Sequence, residues 1–182
     1  LADLGEETLR PSYTDLFAVI VARCLLQHPS LNGMFDGEML TVPERVHLAL
    51  AVDTPRGLVA PVIADADQCA LLTMAKQRSE LVAAALANRL TPAQLGGGTF
   101  TLTNLGAFGV DAFTPVINPP QIAILGTGRI HPAPAVFGGQ LAIRQMMMLS
   151  LTFDHRVVDG APAARFLDAV AQFVEKPFRV WY

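Results

Sequence analysis

The segment Asp154-His155-Arg156-Val157-Val158-Asp159-Gly160 places a histidine between a long apolar run and an Asp-Gly pair that can open a helix. Imidazole titrates near neutrality, so a histidine held at a strand end by rigid neighbours is suited to take a proton from a substrate thiol or hydroxyl. The plainer reading is a strand-end histidine bonded locally, with Asp159 capping the next helix. The other histidines lack this setting: His28 ends a helical pattern, His47 lies on the polar side of a strand, and His131 precedes a proline. A base that creates a nucleophile needs a donor for the oxyanion that follows. Thr103, last of the three threonines in Thr99-Phe100-Thr101-Leu102-Thr103, is a candidate donor and equally an ordinary strand threonine.

Other chemistries fit less well. No His, Cys, Asp or Glu pair has convincing metal-ligand spacing, so no metal is expected. There is no Gly-x-Ser-x-Gly elbow. Cys24 and Cys69 fall in separate helical patterns and read as reduced thiols of a cytosolic protein, not as a disulfide framework. Gly126-Thr127-Gly128 follows a strand, but Arg129-Ile130-His131-Pro132-Ala133-Pro134 cannot open the helix that a phosphate-cradling loop requires.

The elements that must position these residues can be read from periodicity. Ser12, with Asp15 three residues on, caps a helix over 13–27 that turns Leu16, Phe17, Ile20, Cys24 and Leu25 inward. Asp36-Gly37 centres a hairpin. Strands are expected over 46–53 and 58–63, joined by the turn Thr54-Pro55-Arg56-Gly57. Asp67 is placed to cap a helix over 68–88. Further strands are expected over 99–103, 121–125 and 141–153, and a closing helix over 160–174. Loops fall at 104–109 and at Asn118-Pro119-Pro120. Helices and strands interleave while hairpins are also present, which points to a two-layer α/β domain on a mixed sheet.

The 182 residues suffice for one domain with a sizeable core. At 52% hydrophobic and 16% charged, the chain is apolar enough that part of its surface is expected to be covered by other subunits. A net charge of −3 without a basic run argues against nucleic acid. No apolar run approaches the ~20 residues of a membrane span, and no signal peptide is visible at the start.

Taken together, four stretches resemble the acyltransferase catalytic domain of 2-oxo acid dehydrogenase complexes, the dihydrolipoamide acyltransferases. Residues 154–161 resemble the family's active-site signature, residues 98–106 its oxyanion strand and loop, residues 118–126 the segment that follows, and residues 52–63 an upstream stretch. They occur in family order and cover nearly the whole chain. The His-x-x-x-Asp-Gly pattern alone is shared with chloramphenicol acetyltransferases and peptide-synthetase condensation domains, which the other three stretches set apart.

The resemblance implies a chloramphenicol acetyltransferase-like fold. It implies acyl transfer between a dihydrolipoyl group, carried on a separate domain, and coenzyme A as substrate. His155 would be the general base and Thr103 the oxyanion donor. Asp159 would hold the active-site loop, Asp154 would support it, and Phe113 would line the coenzyme A side. It further implies homotrimers with the site between neighbouring subunits. Trimers would build a cubic or dodecahedral core, with the apolar tail over 178–182 as a contact. Dehydrogenase and dihydrolipoamide dehydrogenase subunits would be partners, in the cytoplasm or, in a eukaryote, the mitochondrial matrix. Family domains begin with a further helix and strand ahead of the counterpart of Leu4, and these are expected to be missing here. Leu105-Gly106 and Val157-Val158 lean toward acetyl or branched-chain transfer, whereas Thr103 leans toward succinyl. The rival readings are a non-catalytic core component and a small-alcohol O-acetyltransferase.

Overall fold

The computed structural model describes residues 10–178, so the tail over 179–182 and the segment around Leu4 lie outside the described residues. Helix α1 (Tyr13–Gln27) starts as its sequence demands. The Ser12 N–H and hydroxyl both donate to Asp15 at 2.7 Å, and the Asp15 N–H returns a bond to Ser12 Oγ. Residues 17–22 of this helix are all buried, as expected of a helix packed between other elements.

A short hairpin follows, β1 (Met34–Phe35) and β2 (Leu40–Thr41), with Asp36 accepting the Glu38 and Met39 N–H groups across the turn. Next come β3 (Leu48–Leu50), β4 (Val52–Thr54), β5 (Gly57–Val59), β6 (Val62–Ile63), α2 (Leu71–Leu86) and the single turn α3 (Pro92–Leu95). The remaining elements are β7 (Phe100–Asn104), β8 (Ala123–Thr127), β9 (His131–Phe137), β10 (Gln140–Met146), β11 (Leu149–Phe153) and α4 (Gly160–Glu175).

Five strands form one mixed sheet in the order β11-β8-β7-β3-β6. The inner pairs β8–β7 and β7–β3 are parallel, and the outer pairs antiparallel. Inner strands covered on both faces lose their polar alternation, and β3 and β8 are buried at every position. Helices α1, α2 and α4 form the second layer. The Phe100 ring meets Phe166 of α4 edge-on at 5.6 Å, joining the two layers at the centre of the core. Along β7 the side chains alternate. Asn104 reaches the helix layer, where its Nδ2 donates to Thr14 Oγ1, so Thr101 and Thr103 face the other way.

Several expected elements are divided. The strand over 46–53 breaks at Ala51: β3 stays in the sheet and β4 leaves to pair with β5. The run over 58–63 breaks at Ala60-Pro61 into β5 and β6, which belong to different sheets. The run over 141–153 is two strands parted at Met147-Met148. Its first half pairs with β9, an element that periodicity did not point to and that contains Pro132 and Pro134. Prolines are tolerated there because a two-stranded ribbon consists only of edges. One face of this ribbon carries Val136, Leu141 and Ile143, each at least 75% exposed.

Asp67 does not cap α2, which begins at Leu71 without a side-chain cap. Its buried carboxylate instead takes the Val46 N–H at 2.9 Å and Arg45 Nη1 at 3.0 Å, tying the approach to β3. Cys69 precedes α2 and does not lie within it. No helix among the described residues is long and apolar enough to cross a membrane.

Candidate active site

His155 sits on the turn that joins β11 to α4, exposed, with its ring 5.5 Å from that of Phe153. Asp154 builds this turn. Its N–H donates to Ile122 O at 2.8 Å, and its carbonyl accepts from Val157 and Val158 at 3.1 and 3.0 Å. Its carboxylate takes the Arg156 N–H at 3.0 Å and the guanidinium through Nε and Nη2. These hydrogen bonds from Arg156 hold the Asp154 carboxyl down to about 2, so it is ionised throughout the neutral range. Buried Val158 pins the far end of the turn. Asp159 occupies the N-cap position of α4, yet its exposed side chain makes no cap hydrogen bond to the helix. The local capping role expected for it is therefore not what the structure shows.

Thr103 lies elsewhere. It faces a cleft of about 540 Å³ on the side of the sheet away from the helices, with Thr101, Phe113, Val116 and Asn118 on its walls. Thr101 and Thr103 differ in what their hydroxyls do. Thr101 Oγ1 donates to buried Gln121 at 2.5 Å, whereas the Thr103 hydroxyl has no partner among the described residues and is free to donate into the cleft. No charged residue lines this cleft.

Phe113 is brought to Thr103 through a glycine. Gly126 pairs across the sheet with Thr103, and a Cβ placed on Gly126 would lie 2.7 Å from Phe113 Cζ. The ring thus rests on bare backbone beside the Thr103 side chain. At Gly128 a Cβ would come within 1.9 Å of the Asp111 carbonyl oxygen. The Gly-Thr-Gly run is therefore a platform against which the segment bearing Phe113 is laid, and the Arg129 N–H bond to Val110 O at 2.8 Å locks it there.

Within one chain His155 and Thr103 do not meet. Thr103 is level with Gly126 and Ser150, whereas the other end of β11, at Phe153, is level with Ala123. His155 lies two residues beyond Phe153. At ~3.3 Å per residue along a strand and ~4.8 Å between strands, the two residues are roughly 15–20 Å apart, at opposite ends of the sheet.

His28, His47 and Cys24 have structural surroundings. His28 meets Phe166 edge-on, and burial and the Arg165 charge lower its ring. His47 Nδ1 accepts the Asp65 N–H at 3.1 Å. Burial pushes the Cys24 thiol up to about 12, which keeps it a thiol. Among the described residues no group of three His, Cys, Asp or Glu could hold a metal. Gln121 and Arg156 were not singled out by sequence. For Arg156 the signal was present: an aspartate two residues earlier invites a local turn closed by its side chain.

Comparison with known proteins places this geometry. The family model for the 2-oxoacid dehydrogenases acyltransferase (catalytic domain) matches residues 2–181. Over 84% of its length the chain is 44% identical to the dihydrolipoyllysine-residue acetyltransferase component of the acetoin cleaving system of Bacillus subtilis. Over 96% it is 37% identical to the succinyltransferase component of the 2-oxoglutarate dehydrogenase complex of Haemophilus influenzae. It spans 38% and 43% of those two proteins. Among solved structures, the cubic core of the pyruvate dehydrogenase multienzyme complex aligns with a TM-score of 0.92 at 34% identity, covering 97% of this chain and 74% of that one. The Azotobacter vinelandii dihydrolipoamide acetyltransferase aligns equally well at 33% identity, with the same coverage. A chloramphenicol acetyltransferase, 13% identical with a TM-score of 0.56 over 89% of this chain and 77% of its own, shares the fold. The two-layer mixed-sheet fold expected from sequence is the fold observed, and the chain belongs to the 2-oxo acid dehydrogenase acyltransferase family, as its catalytic domain.

Proposed function

We propose that this chain transfers an acyl group between a dihydrolipoyl group, carried on a separate lipoyl domain, and coenzyme A. One observation carries the assignment of residues. The serine, histidine and asparagine studied for their roles in the Azotobacter vinelandii catalytic mechanism stand at the same mutual spacings as Thr103, His155 and Asp159. In this reading His155 removes the proton of the attacking thiol. The thiolate adds to the carbonyl carbon of the partner thioester, and the free Thr103 hydroxyl donates to the oxyanion. Collapse breaks the original C–S bond, and the departing thiolate takes the proton from the imidazolium. Asp154 keeps the His155 turn in place, Asp159 acts in the assembled site, and Phe113 lines the coenzyme A side.

Because His155 and Thr103 lie at opposite ends of one sheet, the reaction needs two copies, His155 of one facing Thr103 of another. That supports a homotrimer, and the apolar ribbon face of Val136, Leu141 and Ile143 is surface of the kind subunits cover. The match to a cubic core supports further assembly into a cubic or dodecahedral particle. Dehydrogenase and dihydrolipoamide dehydrogenase subunits would work around it, in the cytoplasm or the mitochondrial matrix. The uncharged cleft favours acetyl or branched-chain acyl groups over succinyl, whose carboxylate would be buried there without a cation.

The test is turnover of dihydrolipoamide with acetyl-, isobutyryl- and succinyl-coenzyme A, by the parent and by His155→Ala. Turnover that prefers the uncharged acyl groups and collapses in the variant is expected. A folded, assembled parent that turns over none of the three donors refutes the enzyme and leaves a structural core component.

A further inference from the structure

The turn bearing His155 is tied on two sides to one short stretch of chain. On one side the Asp154 N–H donates to Ile122 O. On the other the Arg156 guanidinium lies 5.0 Å from the centre of the Phe35 ring in the β1–β2 hairpin. That hairpin is fastened to the same stretch: the Phe35 N–H donates to Pro120 O at 2.7 Å, and the Ile122 N–H to Gly33 O at 3.2 Å. The link that closes the circuit is the fork between Arg156 and Asp154. Nε reaches both carboxylate oxygens, at 2.9 and 3.1 Å, and Nη2 reaches one at 2.6 Å. His155 is the residue between the two.

We propose that Arg156 is a positioning residue for His155: with Asp154 it forms a clamp across the histidine and braces that clamp against the Phe35 ring. Two observations favour positioning over simple stabilisation. The Arg156 side chain is 71% exposed and that of Asp154 17%, and an ion pair with one partner so open to water adds little to folding. The contacts are nonetheless planar and forked, a geometry that fixes direction and that a lysine cannot reproduce. What the fork fixes is the backbone on either side of His155, and so the place from which the imidazole reaches out. The inference rests on His155 being the base in the proposed reaction.

The experiment uses the whole protein in its native assembly, with Arg156→Gln, Arg156→Lys, Asp154→Asn and the double variant Arg156→Gln/Asp154→Asn. A displacement of about 1 Å at a reacting group costs on the order of 100-fold in rate. Each glutamine or asparagine single variant is therefore expected to lower kcat about 10- to 100-fold. KM for both substrates should stay within about twofold, and the melting temperature should be close to the parent's. Arg156→Lys is expected between Arg156→Gln and the parent. The double variant should be no worse than either single, because both remove the same fork. An unchanged kcat in Arg156→Gln, a rise in KM for coenzyme A alone, or additive losses would each overturn the proposal. A crystal structure of Arg156→Gln reads the clamp without turnover: His155 in several rotamers supports it, and the parent's single ordered ring overturns it. If the parent is active and His155→Ala is equally active, the assignment of the base fails, and the structure of Arg156→Gln still decides the clamp.

Discussion

Replacing Gly126 with alanine should push Phe113 into the cleft, and the size of the push can be worked out from the sheet. A Cβ at Gly126 would lie 2.7, 3.1 and 3.2 Å from Cζ, Cε2 and Cε1 of Phe113. Three contacts to one ring mean that it must move as a body, and ordinary carbon contact of ~3.7 Å requires it to withdraw by about 1 Å. The glycine lies in a strand paired on both sides, with Thr103 and Ser150, so the backbone has little freedom to yield. The ring gives way instead, outward from the sheet and into the cleft it lines. Overpacking of this kind costs about 1–3 kcal/mol, and a chain of this size loses about 2–4 °C of Tm per kcal/mol. The melting temperature of Gly126→Ala should therefore fall by roughly 2–12 °C. kcat/KM for the acyl-coenzyme A donor should drop about 10- to 100-fold, since the moved ring lies beside Thr103, the proposed oxyanion donor. Phe113→Leu in the alanine background removes the obstructing ring edge and should restore most of the lost Tm. An alanine variant that melts like the parent, or a double variant as unstable as the sum of the singles, would refute the reasoning.

The other predictions concern stability and assembly. Burial alone would raise the Asp15 carboxyl, but hydrogen bonds from Arg78 and Ser12 and the Arg78 charge outweigh it and hold it below the ordinary carboxylate range. Arg78→Met leaves that buried carboxylate without its cation and should cost about 3 kcal/mol at pH 7, or roughly 6–12 °C of Tm. Because the folded value is the lowered one, the pair stabilises above the unfolded carboxyl's pKa of about 4 and stops doing so as pH falls through the lower folded value. The melting gap between parent and variant should therefore be full at pH 7 and narrow below about pH 4; a gap independent of pH would contradict this. Leu141→Lys with Ile143→Lys places two charges on the exposed ribbon face, where each parent side chain is 79% exposed. Secondary structure by circular dichroism should be unchanged, while sedimentation should show smaller particles; particles of parental size would show that this face is not covered by other copies.

What could be read in the sequence was what neighbours along the chain decide. Helix α1 starts where Ser12 and Asp15 say it should, and α4 opens at the Asp-Gly pair, with Gly160 its first residue. The turn around His155 was legible for the same reason, because Asp154 builds it from residues two to four positions away. What periodicity could not reveal was a change of sheet. Leu141, Ile143, Met147, Leu149, Leu151 and Phe153 keep one alternation throughout, yet the first two face solvent on the ribbon and the last three lie against the core. Thr101 and Thr103 look equivalent on one strand face. Only Gln121, twenty residues on, binds one hydroxyl and leaves the other free. The 15–20 Å between His155 and Thr103 is likewise a property of strand order and register, which no spacing in the chain expresses.

That separation has a genetic consequence. If each working site takes its base from one copy and its oxyanion donor from the next, a lesion is not confined to the polypeptide that carries it. A subunit lacking His155 still lends a sound Thr103 to its neighbour, and a subunit lacking Thr103 still lends a sound His155. Two alleles, each inactive alone, would then restore a fraction of the sites when expressed together. A single defective allele beside a normal one would silence only the sites to which its copies supply the missing residue. In a mixture of the two complementary alleles, activity would depend on which copies stand next to each other in the particle.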